Sequence, residues 1–401
     1  MTERAAGDGR AARRRCALAV LALFGPACTT ADEGPPTASR TAVHVVGGIE
    51  HVVNTGQPPT WRLEETLAVA DAGGEPFGRI TGVTASANGE LFVADELAKR
   101  IYRFAPDGRL VAALGREGGG PGEFRTMHSL AWTGPWLATL DAGNARVTRL
   151  GVDGTVGPPV HWLPLTGTGF GLEQTTPEEA YAPFPIFSTE RLASSTRVFL
   201  RITADGVADT LAGVPVPPPA ARSGVICEGA GGIHFFSVPH APQELQARAP
   251  GRRTIVAHTS RYRLLVLGAA GDTVRVVTRD VANPPFGDAE WAATEERWRA
   301  FQERVRGARC EPDGIERPTS KPAFAAVFFD DAARTWVEAY DAAGFRFDVL
   351  DSTGALVAQL PAPSRDRSVD PAIRGGRLHY VVQDSLEVQT VRVARIVEER
   401  R

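Results

Sequence analysis

Short runs in which apolar and polar residues alternate dominate the chain from Trp61 onward. In ELFVADELAKRIYRFAPDGRLVAALG, residues 90–115, LFVAD is a brief apolar run ending on an acid and RIYRF alternates. Pro106-Asp107-Gly108 then supplies a turn, and LVAAL follows. Period-two runs separated by Asp-Gly signals predict β-hairpins. The pattern returns 46 residues later, with Asp95 matching Asp141, Arg100 matching Arg146, Phe104 matching Leu150 and Asp107-Gly108 matching Asp153-Gly154. FLRITADGVADTL (199–211), RLLVLGAAGDTVRVV (263–277) and FRFDVLDSTGALVAQL (345–360) carry worn copies of the same hairpin. LHYVVQDSLEVQTVRVARI (378–396) offers two strands before the chain ends.

Four short strands per unit, repeated at roughly 40–50 residues, are the pattern of a β-propeller. Six units fit the chain, and the last lacks its fourth strand. LEETLAVA (63–70), which precedes the first complete unit, is the natural donor. The expected fold is therefore all-β: a six-bladed β-propeller over residues 61–400, closed by an N-terminal strand. Closure removes the open sheet edges that a linear array would expose.

One stretch breaks the period. In PFGDAEWAATEERWRAFQERVRGARC (285–310), Trp291, Trp298, Phe301 and Val305 recur at helical spacing. Asp288 is the expected N-cap, and Gly307 can end the helix. A helical insertion over about 287–308 is predicted, either packed on the propeller rim or serving as a lid or partner-binding helix.

The N-terminus reads as an address. Arg10 and Arg13 to Arg15 precede ALAVLALF (17–24), an apolar run too short to span a bilayer. Residues 1–27 are expected to be a secretory signal peptide. Gly25-Pro26-Ala27-Cys28 resembles the lipobox of bacterial lipoproteins; Ala27 fits it, whereas Gly25 departs from the usual aliphatic. The resemblance implies lipidation at Cys28 and a membrane contact through lipid alone. Residues 28–60, rich in Thr, Pro and Gly, read as a tether.

Composition sharpens this picture. The chain of 401 residues is 43% hydrophobic and 23% charged, with 42 Gly and 30 Pro, a frequently turning globular protein. Its net charge of −3 excludes a strongly basic nucleic-acid footprint. With Cys16 in the leader and Cys28 at the lipidation site, two of the four cysteines remain, Cys227 and Cys310. An oxidising compartment favours their pairing.

The stretches FVADELAKRIYRFAPDG and GREGGGPGEF (115–124) resemble an NHL repeat. Together with NTGQPPTW (54–61) and KPAFAAVFFDDAARTWVEAY (321–340), they make residues 54–396 similar to the six-bladed propeller proteins that bacteria export, often as lipoproteins. That resemblance implies fold and export, but no particular activity.

Candidate chemistry is sparse. Asp95 with Arg100 and Asp141 with Arg146 repeat, which marks them as groups that serve each blade, the acid accepting turn N–H bonds and the Arg pairing with it. The connector GREGGGPGEF has strands on both sides, so a phosphate-cradling loop, which needs a helix after it, is excluded. Arg116 and Glu123 on that connector, with Trp291 and Trp298 on the helix, form the candidate binding surface. Among the histidines, His128 is expected to start the innermost strand of the second unit and to line the channel; His161 falls between the second and third units, and His234, His240 and His258 in the fourth. No H-x-x-x-H, H-E-x-x-H or G-x-S-x-G occurs.

The expected function is a binding or scaffolding module at the cell envelope. It would be a monomer without cofactor, presenting interblade loops to a protein, peptide or glycan. The alternative is a metal-dependent propeller hydrolase or lyase, lactonase-like, with a divalent ion on the channel axis and His128 as the candidate ligand.

Overall fold

The computed structural model describes residues 39–161, 171–186, 196–212, 224–229, 232–342 and 344–399. The expected signal peptide and Cys28 lie outside them. The fold is a β-propeller: among the described residues are six sheets of four or more strands, each strand antiparallel to the next within its unit.

The first sheet comprises Ile80–Ala85, Leu91–Asp95, Arg100–Phe104 and Leu110–Leu114. The second comprises Met127–Thr133, Trp136–Asp141, Arg146–Leu150 and Val160–His161. The third runs through Glu173–Thr176, Glu179–Ile186, Thr196–Thr203 and Gly206–Ala212. The fourth holds Glu244–Ala249, Arg253–His258, Arg263–Leu267 and Thr273–Arg279. Phe324–Phe329, Thr335–Asp341, Gly344–Leu350 and Leu356–Pro361 make the fifth. In the sixth, Ala372–Arg374, Arg377–Gln383 and Gln389–Val397 are completed by Arg62–Val69, which pairs antiparallel with Gln389–Val397. The strand that completes the last sheet thus comes from the front of the chain, as its period-two pattern predicted.

The turns explain the repeat. Gly108 lies at φ +88° and Gly354 at φ +86°, conformations that a Cβ disfavours. Each donates its N–H back three residues, to Ala105 O and Asp351 O, closing a hairpin with a bulge. Each also packs tightly: a Cβ on Gly108 would stand 2.7 Å from Leu67 of the closing strand, and one on Gly354 2.7 Å from Val277 of the fourth sheet. Asp205-Gly206 behaves differently, because Thr203 pairs directly with Gly206 in a tighter turn.

The repeated acids act as anticipated. Asp95, 1% exposed, accepts N–H bonds from Gly78, Arg79, Leu97 and Ala98 at 2.8–3.2 Å. Asp141 accepts from Arg125 and Thr126 at 3.0 and 3.1 Å. Their expected Arg partners diverge. Arg146 lies 3.8 Å from Asp141 and donates to Gly120 O and Glu123 O, whereas Arg100 reaches Gly115 O instead of Asp95. Both guanidiniums therefore hold the glycine-rich connector in place.

Apolar residues fill the seams between neighbouring sheets, for example Val69, Ile80, Val93, Phe104 and Val391 between the sixth and first. At the seam of the third and fourth sheets, the Arg248 guanidinium lies 4.8 Å from the Phe199 ring centroid and 5.3 Å from that of Tyr181.

Two features correct the sequence reading. Residues 40–61 are not a free tether. Arg40–Val46 and Ile49–Thr55 form a hairpin that extends the fourth sheet, with Ile49–Thr55 parallel to Thr273–Arg279. Asn54, fully buried, donates to Gly354 O and accepts from Leu356 N, and Trp61 N donates to Gln359 O. The segment thus laces the fourth, fifth and sixth sheets before closing the last. Its short alternations HVV and HVVN are too brief, beside so many Pro and Thr, to stand out as strands.

The second correction concerns the insertion. The helix Asp288–Arg304 is present, with Gly287 rather than Asp288 at its N-cap and the Glu290 carboxylate accepting from Gly287 N at 3.0 Å. It packs on an additional three-stranded sheet made of Gly232–Ser237, Gly224–Gly229 and Arg309–Glu311. His234 belongs to this sheet and not to the fourth unit.

Candidate functional site

The first strands of all six sheets line one cavity of about 650 Å3. That size falls within the range of small-molecule sites. His128, on the first strand of the second sheet, faces the cavity as expected from its place in the repeat. Among the described residues, no group of three His, Cys, Asp or Glu side chains gathers with the geometry of a metal site. His128 is thus not joined by further His, Cys, Asp or Glu ligands from the described residues.

The structure also places the other residues singled out from sequence. Arg116 and Glu123 pair with each other at 2.7 Å, between two short parallel strands, Arg116–Glu117 and Glu123–Phe124. The Gly120 N–H and the Arg116 guanidinium hold the Glu123 carboxyl below the usual carboxylate range. This pair closes the connector on itself, with the Arg116 side chain still largely exposed. Trp298 is 8% exposed, its ring 5.0 Å from Phe236, and Trp291 is half-buried against Phe286. These tryptophans dock the helix; they do not form an open aromatic patch. Cys227 and Cys310 are bonded, on directly paired strands with Cα atoms 4.0 Å apart.

Most charged groups around the cavity are already engaged. Asp330 accepts from Arg334 and from the Trp336 indole, Arg79 pairs with Glu96, and Asp331 accepts from Gly375 N at 2.7 Å. Two are not. Asp370, just before the first strand of the sixth sheet, and Arg374, at that strand's end, line the cavity and make no hydrogen bond or ion pair among the described residues. Asp370 is open to the cavity yet enclosed by protein, and this burial raises its carboxyl above the usual range, against the pull of Arg365. Arg374 is 9% exposed; burial lowers its guanidinium, countered by Asp331 and Glu178.

Sequence reading passed over both residues. The available signal was the alternation D-x-A-x-R in Asp370-Pro371-Ala372-Ile373-Arg374, which puts Asp370, Ala372 and Arg374 on one face. Ile373, 3% exposed, turns the other way into the core between the fifth and sixth sheets.

No family model matches the chain, and no curated protein matches it by sequence. Solved structures do. A protein from Bacteroides fragilis aligns at TM-score 0.46 and 10% identity, covering 86% of this chain and 100% of that one. A catalytically inactive virginiamycin B lyase from Staphylococcus aureus with quinupristin aligns at TM-score 0.41 and 11% identity, over 84% of this chain and 100% of the lyase. A PQQ-bound aldose sugar dehydrogenase from Streptomyces coelicolor aligns at 0.40 and 13%, over 84% and 99%. These are likenesses of fold between proteins with different chemistries, and what this chain does has to be argued from its own cavity.

Proposed function

We propose that the protein is an exported six-bladed propeller, held at the membrane by lipid on Cys28, that acts as a monomeric binding module at the cell envelope. Its ligand occupies the central cavity, and the interblade loops serve as its frame. One observation carries this reading: a cavity of about 650 Å3 is lined by all six sheets of four or more strands, including two charged groups that have no hydrogen-bond or ion-pair partner among the described residues. The connector that was the alternative surface has its charges closed on each other.

The test uses Ala326, which lines the cavity on the first strand of the fifth sheet. Ala326→Trp narrows the cavity from its wall. A panel of short peptides, oligosaccharides and small esters is screened by thermal shift, with metal content of the purified protein measured in parallel. Ligands that raise the melting temperature of the wild type but not of A326W support the reading. Ligands held equally by both, or lost on replacing Arg116 and Glu123, would move the site to the connector. One equivalent of bound metal together with ester or lactone turnover would favour the hydrolase or lyase reading instead.

A further inference from the structure

Asp370 and Arg374 are opposite charges on the same face of one stretch of chain, at its two ends. Four residues of extended backbone separate them by about 13 Å. A single parallel bridge joins Asp330, just past the fifth sheet's first strand, to Ile373 on the sixth sheet's first strand. The two charges therefore mark opposite ends of the channel: Asp370 before the sixth sheet's first strand, Arg374 beside the turns that carry Asp331 and Glu178.

A buried charge without a partner among the described residues, as Arg374 is at 9% exposed, is costly, and a ligand that supplies the partner recovers that cost on binding; Asp370 is open to the cavity, where a ligand cation can reach it. At the first end, Arg365 and Arg367 both bond the buried Glu338, at 3.0 and 2.6 Å, and act on Asp370 only through space, without a hydrogen bond to it. At the other end, Asp331 is engaged by Gly375 N and Glu178 is exposed to solvent; neither comes within 4.0 Å of the Arg374 guanidinium. The cavity between them carries apolar as well as polar lining, including Ile80, Leu130 and Val327.

We propose that the channel binds a short zwitterionic peptide lying along its axis, its free amino terminus at Asp370 and its free carboxylate at Arg374. This rests on the reading of the cavity as the ligand site. An extended chain gains at most about 3.3–3.6 Å per residue, so two to four residues span the gap once the reach of the two side chains is allowed for. An ammonium satisfies a carboxylate as a compact charge, and a guanidinium meets a carboxylate through paired N–H donors.

The test is calorimetric titration of the purified protein with tri-alanine in four forms: free at both ends, acetylated, amidated, and blocked at both ends. Di-alanine and hexa-alanine bracket the length. The free form should bind best, with each block weakening it roughly tenfold to a hundredfold. Asp370→Asn should erase the difference between free and acetylated forms alone, and Arg374→Gln the difference between free and amidated forms alone. Melting curves of both variants confirm that they remain folded. If Arg374→Gln instead destabilises the fold, Arg374→Lys, which retains the charge, serves in its place and should lessen the preference without abolishing it.

Equal binding of all four forms overturns the proposal, as does Arg374→Gln leaving the preference for the free acid intact. If no alanine peptide binds but an oligosaccharide does, and Ala326→Trp excludes it, the cavity remains the site and the zwitterion proposal falls. If nothing in either screen depends on Ala326, both fall.

Discussion

His379, on the second strand of the sixth sheet, is 3% exposed, and its Nδ1 donates to Ala372 O at 3.2 Å. Burial pushes its pKa down to about 4 from the ordinary 6.5, partly offset by that hydrogen bond. The imidazole is therefore neutral in the fold, while the unfolded chain takes up a proton near pH 6.5. The folded-state value is depressed, so the stability it carries is present above pH 6.5 and lost as pH falls towards 4. At pH 4.5 the loss should be about 2–3 kcal/mol. Urea unfolding of wild type and His379→Gln at pH 7.5 and 4.5 checks this, since Gln can donate to the same carbonyl without titrating. The acid-induced loss should shrink by that amount in the variant; identical losses would show that His379 does not set this slope. The same strand pair carries Ala372 between Asp370 and Arg374, so His379 also fixes the backbone that presents the two cavity charges.

Among the elements, the helix insertion shows how a non-propeller piece is held. Its helix and the Val305 that caps it bury Trp298, Phe301 and Val305 against Phe236 and Val225, and the Cys227–Cys310 bond ties the strand after the helix to a strand before the fourth sheet. The bond spans 83 residues of sequence, a loop whose closure in the unfolded chain is worth about 4–5 kcal/mol on the chain-entropy model. Replacing both cysteines by Ala should cost roughly 2–5 kcal/mol, because measured values tend to fall short of the model. The loss should be local. Hydrogen exchange is expected to accelerate across 288–304 and 224–237 while the first and second sheets keep their protection. Uniform acceleration would instead place the insertion inside the propeller's cooperative unit. The spacing of the tryptophans along the chain is enough to specify a helix. It does not tell a docking face from a binding face, since both put aromatics at the same spacing.

At the scale of the whole molecule, an early strand and the last described strand meet in one sheet. Arg62–Val69 pairs antiparallel with Gln389–Val397, with one register shift between Glu65 and Leu67, and residues 40–61 first stitch the fourth and fifth sheets. Loss of the closing strand opens the ring and bares an edge, whereas loss of the stitching alone keeps the ring shut. A chain that begins at Asp71 should aggregate or lose cooperative unfolding. One that begins at Trp61 should remain folded with a lower urea midpoint. A chain starting at Asp71 that melted like the full protein would mean that the strand is dispensable for closure.

The repeat, the turns, the closing strand and the helix were legible in sequence because each depends on local rules: period two, glycine at positive φ, helical spacing. The repeated Asp95 and Asp141 were legible for the same reason, since their N–H donors lie in nearby turns and the neighbouring connector. Other features depend on chain segments hundreds of residues apart. Asn54 finds its partners at Gly354 and Leu356, and nothing near residue 54 announces this. Arg116 and Glu123 are close in sequence, but only the folded connector shows that they neutralise each other. The cavity charges are the extreme case. Asp370 and Arg374 are ordinary residues in a five-residue stretch, made distinctive by the groups that the third and fifth sheets place near them and by the absence of a bonded partner among the described residues. The sequence by itself determined the fold and its closure, which local backbone preferences specify. The tertiary structure alone decided which charges in the channel find a partner among the described residues, because pairing depends on segments far apart in sequence.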